Sequence, residues 1–304
     1  MNSGRIVVTG GTGFVGRAVL ARLAERASQG RIVVPTRRLA NGLAIQSLPT
    51  VDLVQADVHD GAQMSALLAG ADALVHLVAV LHGDAARFER EHVALPRTLA
   101  AACRAAGVNR VVHISALSVA ADAPSQYLRS KAAGEAVWHD SGLAVTVLRP
   151  SVVFGAEDRF TNLFVKLQRL LPVLPLAGAQ AQFQPVWVGD VAAVIVAVLQ
   201  AGPALAGQTI ECAGPEVLTL AQIVHRVGAM ACCARPVLPL PEWAGMLQAT
   251  LMSLKPGEPL MSRDNLLSMR VPNVASGRYP DLAALGIRPL ALDALSPHFG
   301  RQAR

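Results

Sequence analysis

The chain has 304 residues, 52% hydrophobic and 16% charged, with a formal net charge of +6 and a pI near 9.7. This composition excludes a disordered chain, and an aromatic share of only 4% calls for a core of Val, Leu, Ile and Ala. The arginines are scattered, with no block of like charge and no basic run interleaved with aromatics, so no nucleic-acid partner is expected.

The first predicted strand, residues 6–9, runs into glycines at 10, 11, 13 and 16. Residues 11–16 read G-x-G-x-x-G and Gly10 allows the alternative spacing, which makes Gly10, Thr12, Gly13, Phe14, Val15 and Gly16 a candidate pyrophosphate cradle. A helix beginning near Thr12 would aim free N–H groups and its positive dipole end at the phosphates. The second strand, 32–35, lies at the distance expected for a βαβ unit and ends at Arg37 and Arg38. An arginine at this place suits a ribose 2′-phosphate, where NAD-selective folds carry an acid, so NADP(H) is preferred and NAD(H) is the alternative. After the third strand, 52–55, Asp57 and Val58 are candidate adenine contacts, with a simple turn as the competing role for Asp57.

Further strands are predicted at 74–79, 111–115 and 145–149, with helices at 61–68, 88–106 and 130–141 between them, several ended by glycine. The alternation predicts an α/β fold, a Rossmann-like doubly wound parallel sheet with helices on both faces and a small C-terminal cap. Ligands of such sheets lie beyond the C-terminal strand ends, which adds Leu77, Val78, Ala79, Pro150, Val152 and Val153 to the dinucleotide set. Residues 1–208 are assigned to the dinucleotide-binding domain, with 150–190 partly on the cap side, and 209–304 to a small region facing substrate or partner. The apolar stretch 191–210 is broken by Gly202-Pro203 and reads as a buried helix. Asp190 is expected to cap it.

Tyr127 and Lys131 stand four residues apart, side by side on one helix face. A nearby ammonium would lower the tyrosine pKa and fit Tyr127 for proton transfer, while Lys131 could also hold the nicotinamide ribose. With the glycine cradle upstream, the pattern resembles the short-chain dehydrogenase/reductase superfamily in its extended or atypical branches. Stretches 10–16, 33–37, 112–117, 125–135, 148–155 and 183–191, with 262–265 and 285–289 near the end, resemble the family of the NADPH-binding accessory subunit of respiratory complex I and its bacterial relatives. The resemblance implies bound NADP(H) and relatives placed in complex I or implicated in ubiquinone synthesis. It leads to an expected oxidoreductase on a hydrophobic, quinone-related substrate, or a respiratory or quinone-synthesis protein partner. The alternative is a non-catalytic dinucleotide-binding assembly or redox-sensing protein.

One departure stands out. The superfamily's carbonyl-holding Ser or Thr falls on Leu117 here, leaving Ser115 and Ser118 as substitutes. His76, His92 and His113 have no ligand spacing with acids or cysteines, so no metal site is expected. The cysteines at 103, 212, 232 and 233 form no C-x-x-C pair, and no secretory signal pattern leads the chain, so a cytoplasmic location is expected. Trp243, Met246, Leu247, Leu251 and Leu254 form an apolar stripe that packs on the sheet domain or docks peripherally on the inner face of a membrane.

Overall fold

The structure is a computed structural model and describes residues 4–26, 30–253 and 261–302. Its central sheet contains β1 (Arg5–Thr9), β2 (Arg31–Thr36), β3 (Val51–Gln55), β4 (Ala73–His76), β5 (Arg110–Ile114) and β6 (Ala144–Pro150). Four short strands follow, β7 (Val153–Phe154), β8 (Leu174–Ala177), β9 (Gln182–Phe183) and β10 (Val186–Trp187), before β11 (Thr209–Cys212) returns to the sheet. The seven strands are parallel in the order β11-β6-β5-β4-β1-β2-β3, so the order reverses between β1 and β4. The sheet therefore draws on both sides of the 208/209 boundary.

The buried strands alternate their side chains between two cores. Val8, Val34, Val75 and Val112 face α1 (Phe14–Arg26), whereas Val7, Val33, Leu74 and Val111 face the opposite layer of α2 (Gly61–Leu68), α4 (Leu95–Ala106) and α5 (Gln126–His139). Packed beside α1, α7 (Val188–Ala201) puts Val191, Val194, Ile195 and Val198 into the first core. Residues Val188–Leu205 are apolar enough to cross a membrane, but here they serve mainly as a core helix, half buried against the sheet. Asp190 does not cap α7, which begins at Val188; its carboxylate instead accepts from the Leu290 N–H at 2.8 Å.

Three predicted boundaries shift for physical reasons. The fourth strand stops at His76, so Leu77–Ala79 form a loop where the chain passes over Gly10. The predicted helix 88–106 becomes three segments: α3 (Ala85–Glu89), a π turn (Arg90–Ala94) and α4, the last carrying Pro96 in its first turn. The third shift is at α5, which starts at Gln126 because Ser125 caps it, its hydroxyl accepting from the Leu128 N–H.

A third apolar cluster fills the cap. It combines Phe154, Phe164 and Val165 with Leu218, Leu220, Ile223 and Val224, drawn from β7, from α6 (Arg159–Leu170), and from β12 (Leu218–Thr219) and α8 (Leu220–Met230). The parallel pair β8 and β13 (Val237–Leu240) borders this cluster, and α9 (Glu242–Ser253) and α10 (Arg263–Ser268) follow. Of the predicted apolar stripe, Leu254 and the Leu251 side chain lie outside the described residues.

Candidate dinucleotide site and Tyr127 helix

Gly10 follows β1 with φ of 76°, in the left-handed region, and a Cβ there would stand 2.9 Å from the Leu77 carbonyl carbon. Only glycine lets the ends of β1 and β4 approach this closely. The Gly13 N–H donates to the Gly10 carbonyl at 3.0 Å and closes the turn. At Gly16 a Cβ would overlap the carbonyls of both Gly10 and Gly11, so this glycine seats the helix against the strand end. Gly13 differs: it is exposed, and its Cβ would meet only the Gly10 carbonyl oxygen, at 3.2 Å. Helix α1 starts at Phe14, so Thr12 and Gly13 belong to the turn and not to the helix, and its opening N–H groups lack intrahelical partners. The glycines thus leave space that a Cβ would fill, in front of a helix N-terminus at the switch in strand order, which fits a pyrophosphate.

Around this cradle, Arg37 and Arg38 are exposed at the end of β2, and neither forms an ion pair among the described residues. Thr36 Oγ1 donates to the Arg38 carbonyl at 3.1 Å and fixes the turn that presents them. Asp57 is engaged locally, its Oδ1 accepting from the His59 N–H at 3.1 Å, and Val58 packs on the core beneath. Phe14 and Val15 are half-buried in the first turn of α1, with the Phe14 ring against Gly155. At the end of β6, the Pro150 carbonyl accepts from the Leu117 N–H at 3.0 Å, and Val153 pairs with Val186. The Val152 N–H donates to Asn273 Oδ1 at 3.0 Å, so a residue of the C-terminal segment ties down this wall.

On α5, Tyr127 and Lys131 share a face as expected from their spacing, but their electrostatics differ from the expectation. Lys131 is buried, its Nζ donates to the Ile114 carbonyl at 2.7 Å, and burial lowers its pKa to about 8 against the opposing pull of Glu135. Tyr127 packs edge-on to His92 and Phe88, and its apolar surroundings push the phenol up to about 12. The lysine therefore does not convert Tyr127 toward phenolate; its ammonium is held by the end of β5. At neutral pH Tyr127 is a phenol, able to donate a proton.

Leu117 is fully buried and offers no hydroxyl. Ser118 has a left-handed backbone (φ 62°), and its hydroxyl donates to the Pro272 carbonyl at 2.5 Å. Ser115 is buried beside the Lys131 anchor, and its Oγ has no hydrogen-bond partner among the described residues.

Three residues have roles that a reading of motifs does not assign. His92, in the π turn, accepts from the Val80 N–H through Nε2 at 3.1 Å, while its Nδ1 lies 2.8 Å from Ser130 Oγ. A ring nitrogen that accepts leaves the other as the N–H, so His92 donates to Ser130 and joins the β4 loop to the tyrosine helix. Asp264 accepts from the Gln126 and Tyr127 N–H groups, and Asn273 holds Ser151 and Val152. Of the nearby acids, Asp84 caps α3, Glu89 pairs on the surface with Arg97 at 3.5 Å, and the mostly buried Glu91 lies 3.3 Å from His59.

Sheet order, glycine turn and helix-borne Tyr-Lys pair together define a Rossmann-fold protein of the short-chain dehydrogenase/reductase type. The model of the NAD dependent epimerase/dehydratase family matches residues 6–213, and the chain belongs to that family. It is 29% identical over 296 residues to the mitochondrial NADH dehydrogenase (ubiquinone) 1 alpha subcomplex subunit 9 of Mus musculus, covering 95% of this chain and 78% of that protein. It is also 28% identical to the ceramide reductase of Caulobacter vibrioides, over 64% of this chain and 60% of that enzyme. Among solved structures it is similar to a dTDP-glucose 4,6-dehydratase of Streptomyces venezuelae with NAD and TYD bound. That match has a TM-score of 0.75 and 25% identity, and covers 99% of this chain and 98% of that one.

Proposed function

We propose that the protein holds a nicotinamide dinucleotide, NADP(H) in preference to NAD(H), and works in a respiratory or quinone-linked setting at the inner face of a membrane. In this reading the dinucleotide is retained as a structural or redox-sensing ligand, with slow turnover or none. Gly10, Gly13 and Gly16 with the start of α1 would hold the pyrophosphate, Arg37 the 2′-phosphate, and Lys131 the nicotinamide ribose. The observation that carries the reading is Leu117, a buried leucine where a hydroxyl would hold a carbonyl, with Ser118 bonded to Pro272. An absent oxyanion donor typically costs ~100-fold or more in rate. Similarity to a complex I subunit over nearly the whole chain supports the same view.

A second reading rests on the Tyr127 phenol and the unpartnered Ser115 hydroxyl. Bound nicotinamide supplies or accepts a hydride. Tyr127 would give a proton to the oxygen of a quinone or carbonyl substrate, and Ser115 would hold that oxygen. The similarity to a ceramide reductase favours this alternative.

One experiment separates the two. The purified protein is analysed for retained nucleotide, its melting temperature is measured with NADPH and NADH, and absorbance of bound NADPH is followed while quinones and carbonyl compounds are added. A larger shift with NADPH and no oxidation supports the binding role. Oxidation that disappears in Tyr127→Phe establishes the oxidoreductase, and no shift with either nucleotide overturns both.

A further inference from the structure

The cap exposes an apolar surface that neither the cradle nor the tyrosine helix uses. Leu170, at the end of α6, and Leu171 and Val173, in the loop to β8, are 68%, 37% and 43% exposed. The β8 and β13 register places Pro175 beside Leu238, itself 54% exposed. Helix α9 leaves the end of β13 and packs inward through Gly245, which rests on Ala177, and through fully buried Ala249. Its other face carries Trp243 and Leu247, 72% and 55% exposed and one turn apart. The predicted stripe thus splits, with these two large residues turned outward.

Charge identifies the occupant. No Asp or Glu occurs between Asp158 and Asp190 or between Glu216 and Glu242. Glu242 is paired with Arg270. Lys166 and Arg169 are exposed on the last turns of α6, and Arg235, at the entry to β13, reaches the Gln168 carbonyl at 3.2 Å. Exposed Leu170 and Leu171 adjoin Lys166 and Arg169, and exposed Leu238, Trp243 and Leu247 follow along β13 and α9, on segments lacking unpaired carboxylates, a combination that matches the polar–apolar boundary of an anionic bilayer.

We infer that the cap face formed by Leu170–Val173, Leu238, Trp243 and Leu247 inserts into the headgroup region of an anionic lipid bilayer, with Lys166, Arg169 and Arg235 at the lipid phosphates. This rests on the membrane-facing part of the proposed function and supplies its surface. It also holds the dinucleotide site to the membrane, where apolar quinone-like molecules reside.

The test is co-sedimentation of the whole protein with vesicles of phosphatidylcholine alone or with added phosphatidylglycerol. The wild type is expected to bind the anionic vesicles, more weakly as salt rises, with a blue shift in tryptophan emission that is missing in Trp243→Phe. The double variant Trp243→Ser/Leu247→Ser should lose at least about tenfold in partitioning. Lys166→Glu/Arg169→Glu should lose about fivefold or more per cation on anionic vesicles only. The NADPH-induced melting shift should stay as in wild type in every variant, so failure of lipid binding is distinguishable from failure of the dinucleotide reading. Equal sedimentation of wild type and variants, absence of binding to either vesicle, or a lipid-free dimer abolished by Trp243→Ser would each overturn the inference.

Discussion

The backbone N–H of Tyr127 donates to Asp264 at 2.9 Å across 137 residues of sequence, and Gln126 donates to the other carboxylate oxygen at 2.7 Å. A negative charge here satisfies two otherwise unpaired amides and complements the positive end of the helix dipole. The C-terminal segment thus holds the helix that carries the proposed proton donor. Asp264→Ala should cost about 1–2 kcal/mol in urea unfolding, read as a lower midpoint at unchanged slope. Asp264→Asn, which keeps an acceptor but loses the charge, should fall between that variant and wild type.

Glycines 13 and 16 make a sharper pair. Gly16→Ala must push a methyl group into two carbonyls, whereas Gly13→Ala meets one atom at 3.2 Å in an exposed turn. Gly16→Ala should therefore lower stability by about 1–3 kcal/mol even without ligand. Gly13→Ala should leave the ligand-free melting temperature nearly unchanged while removing most of the shift given by NADPH. Parallel thermal scans check both, and equal loss of unliganded stability in the two variants would contradict the division of roles.

What the sequence made legible was local. The strand-to-glycine turn, the helix Gly61–Leu68 and the Tyr127–Lys131 spacing all follow from periodicity and cap residues within a few positions. Asp264, Asn273 and Pro272 were not legible as site residues, because their partners Tyr127, Val152 and Ser118 lie 121 to 154 residues away and no local pattern signals the contact. The upward shift of the Tyr127 phenol was hidden from sequence for a related reason. Spacing brings Lys131 to the same helix face, but only the fold reveals that its ammonium is aimed at the Ile114 carbonyl. His92 carried no motif because its reach depends on the π turn at Arg90–Ala94.

Arg37 stands exposed at the end of β2 without an ion-pair partner among the described residues, so its charge is available to a 2′-phosphate. A charge-assisted contact of this kind is worth ~1.5–3 kcal/mol, which corresponds to about 10–100-fold in affinity. Arg37→Ala should weaken NADPH binding by that factor while leaving NADH nearly unchanged, as titration calorimetry would show. An Arg37→Asp protein that still prefers NADPH would move the assignment away from Arg37.

The buried histidines set the acid limit of the fold. His76 and His113 stack at 5.2 Å beside Trp138, and burial next to the Lys131 ammonium holds both well below the ordinary histidine range. His76 and His92 each lie at about 3. Unfolded, these rings take up a proton near pH 6.5. Between that value and their folded pKa the unfolded chain binds more protons, so stability is present above about pH 6.5 and is lost as pH falls toward 3, by roughly 1.4 kcal/mol per pH unit for each histidine. Asp158 and Asp190, raised by burial, act in the opposite sense. Lys131, with its folded pKa of about 8, changes stability only from there up to the unfolded lysine value, leaving the acid window clear. Denaturant unfolding at steps from pH 7 to pH 5 should show a steep fall, and His76→Asn should reduce the slope by about one histidine's share. A flat profile, or His76 ring resonances that titrate near pH 6.5 in the folded protein, would show that these rings take up protons without unfolding.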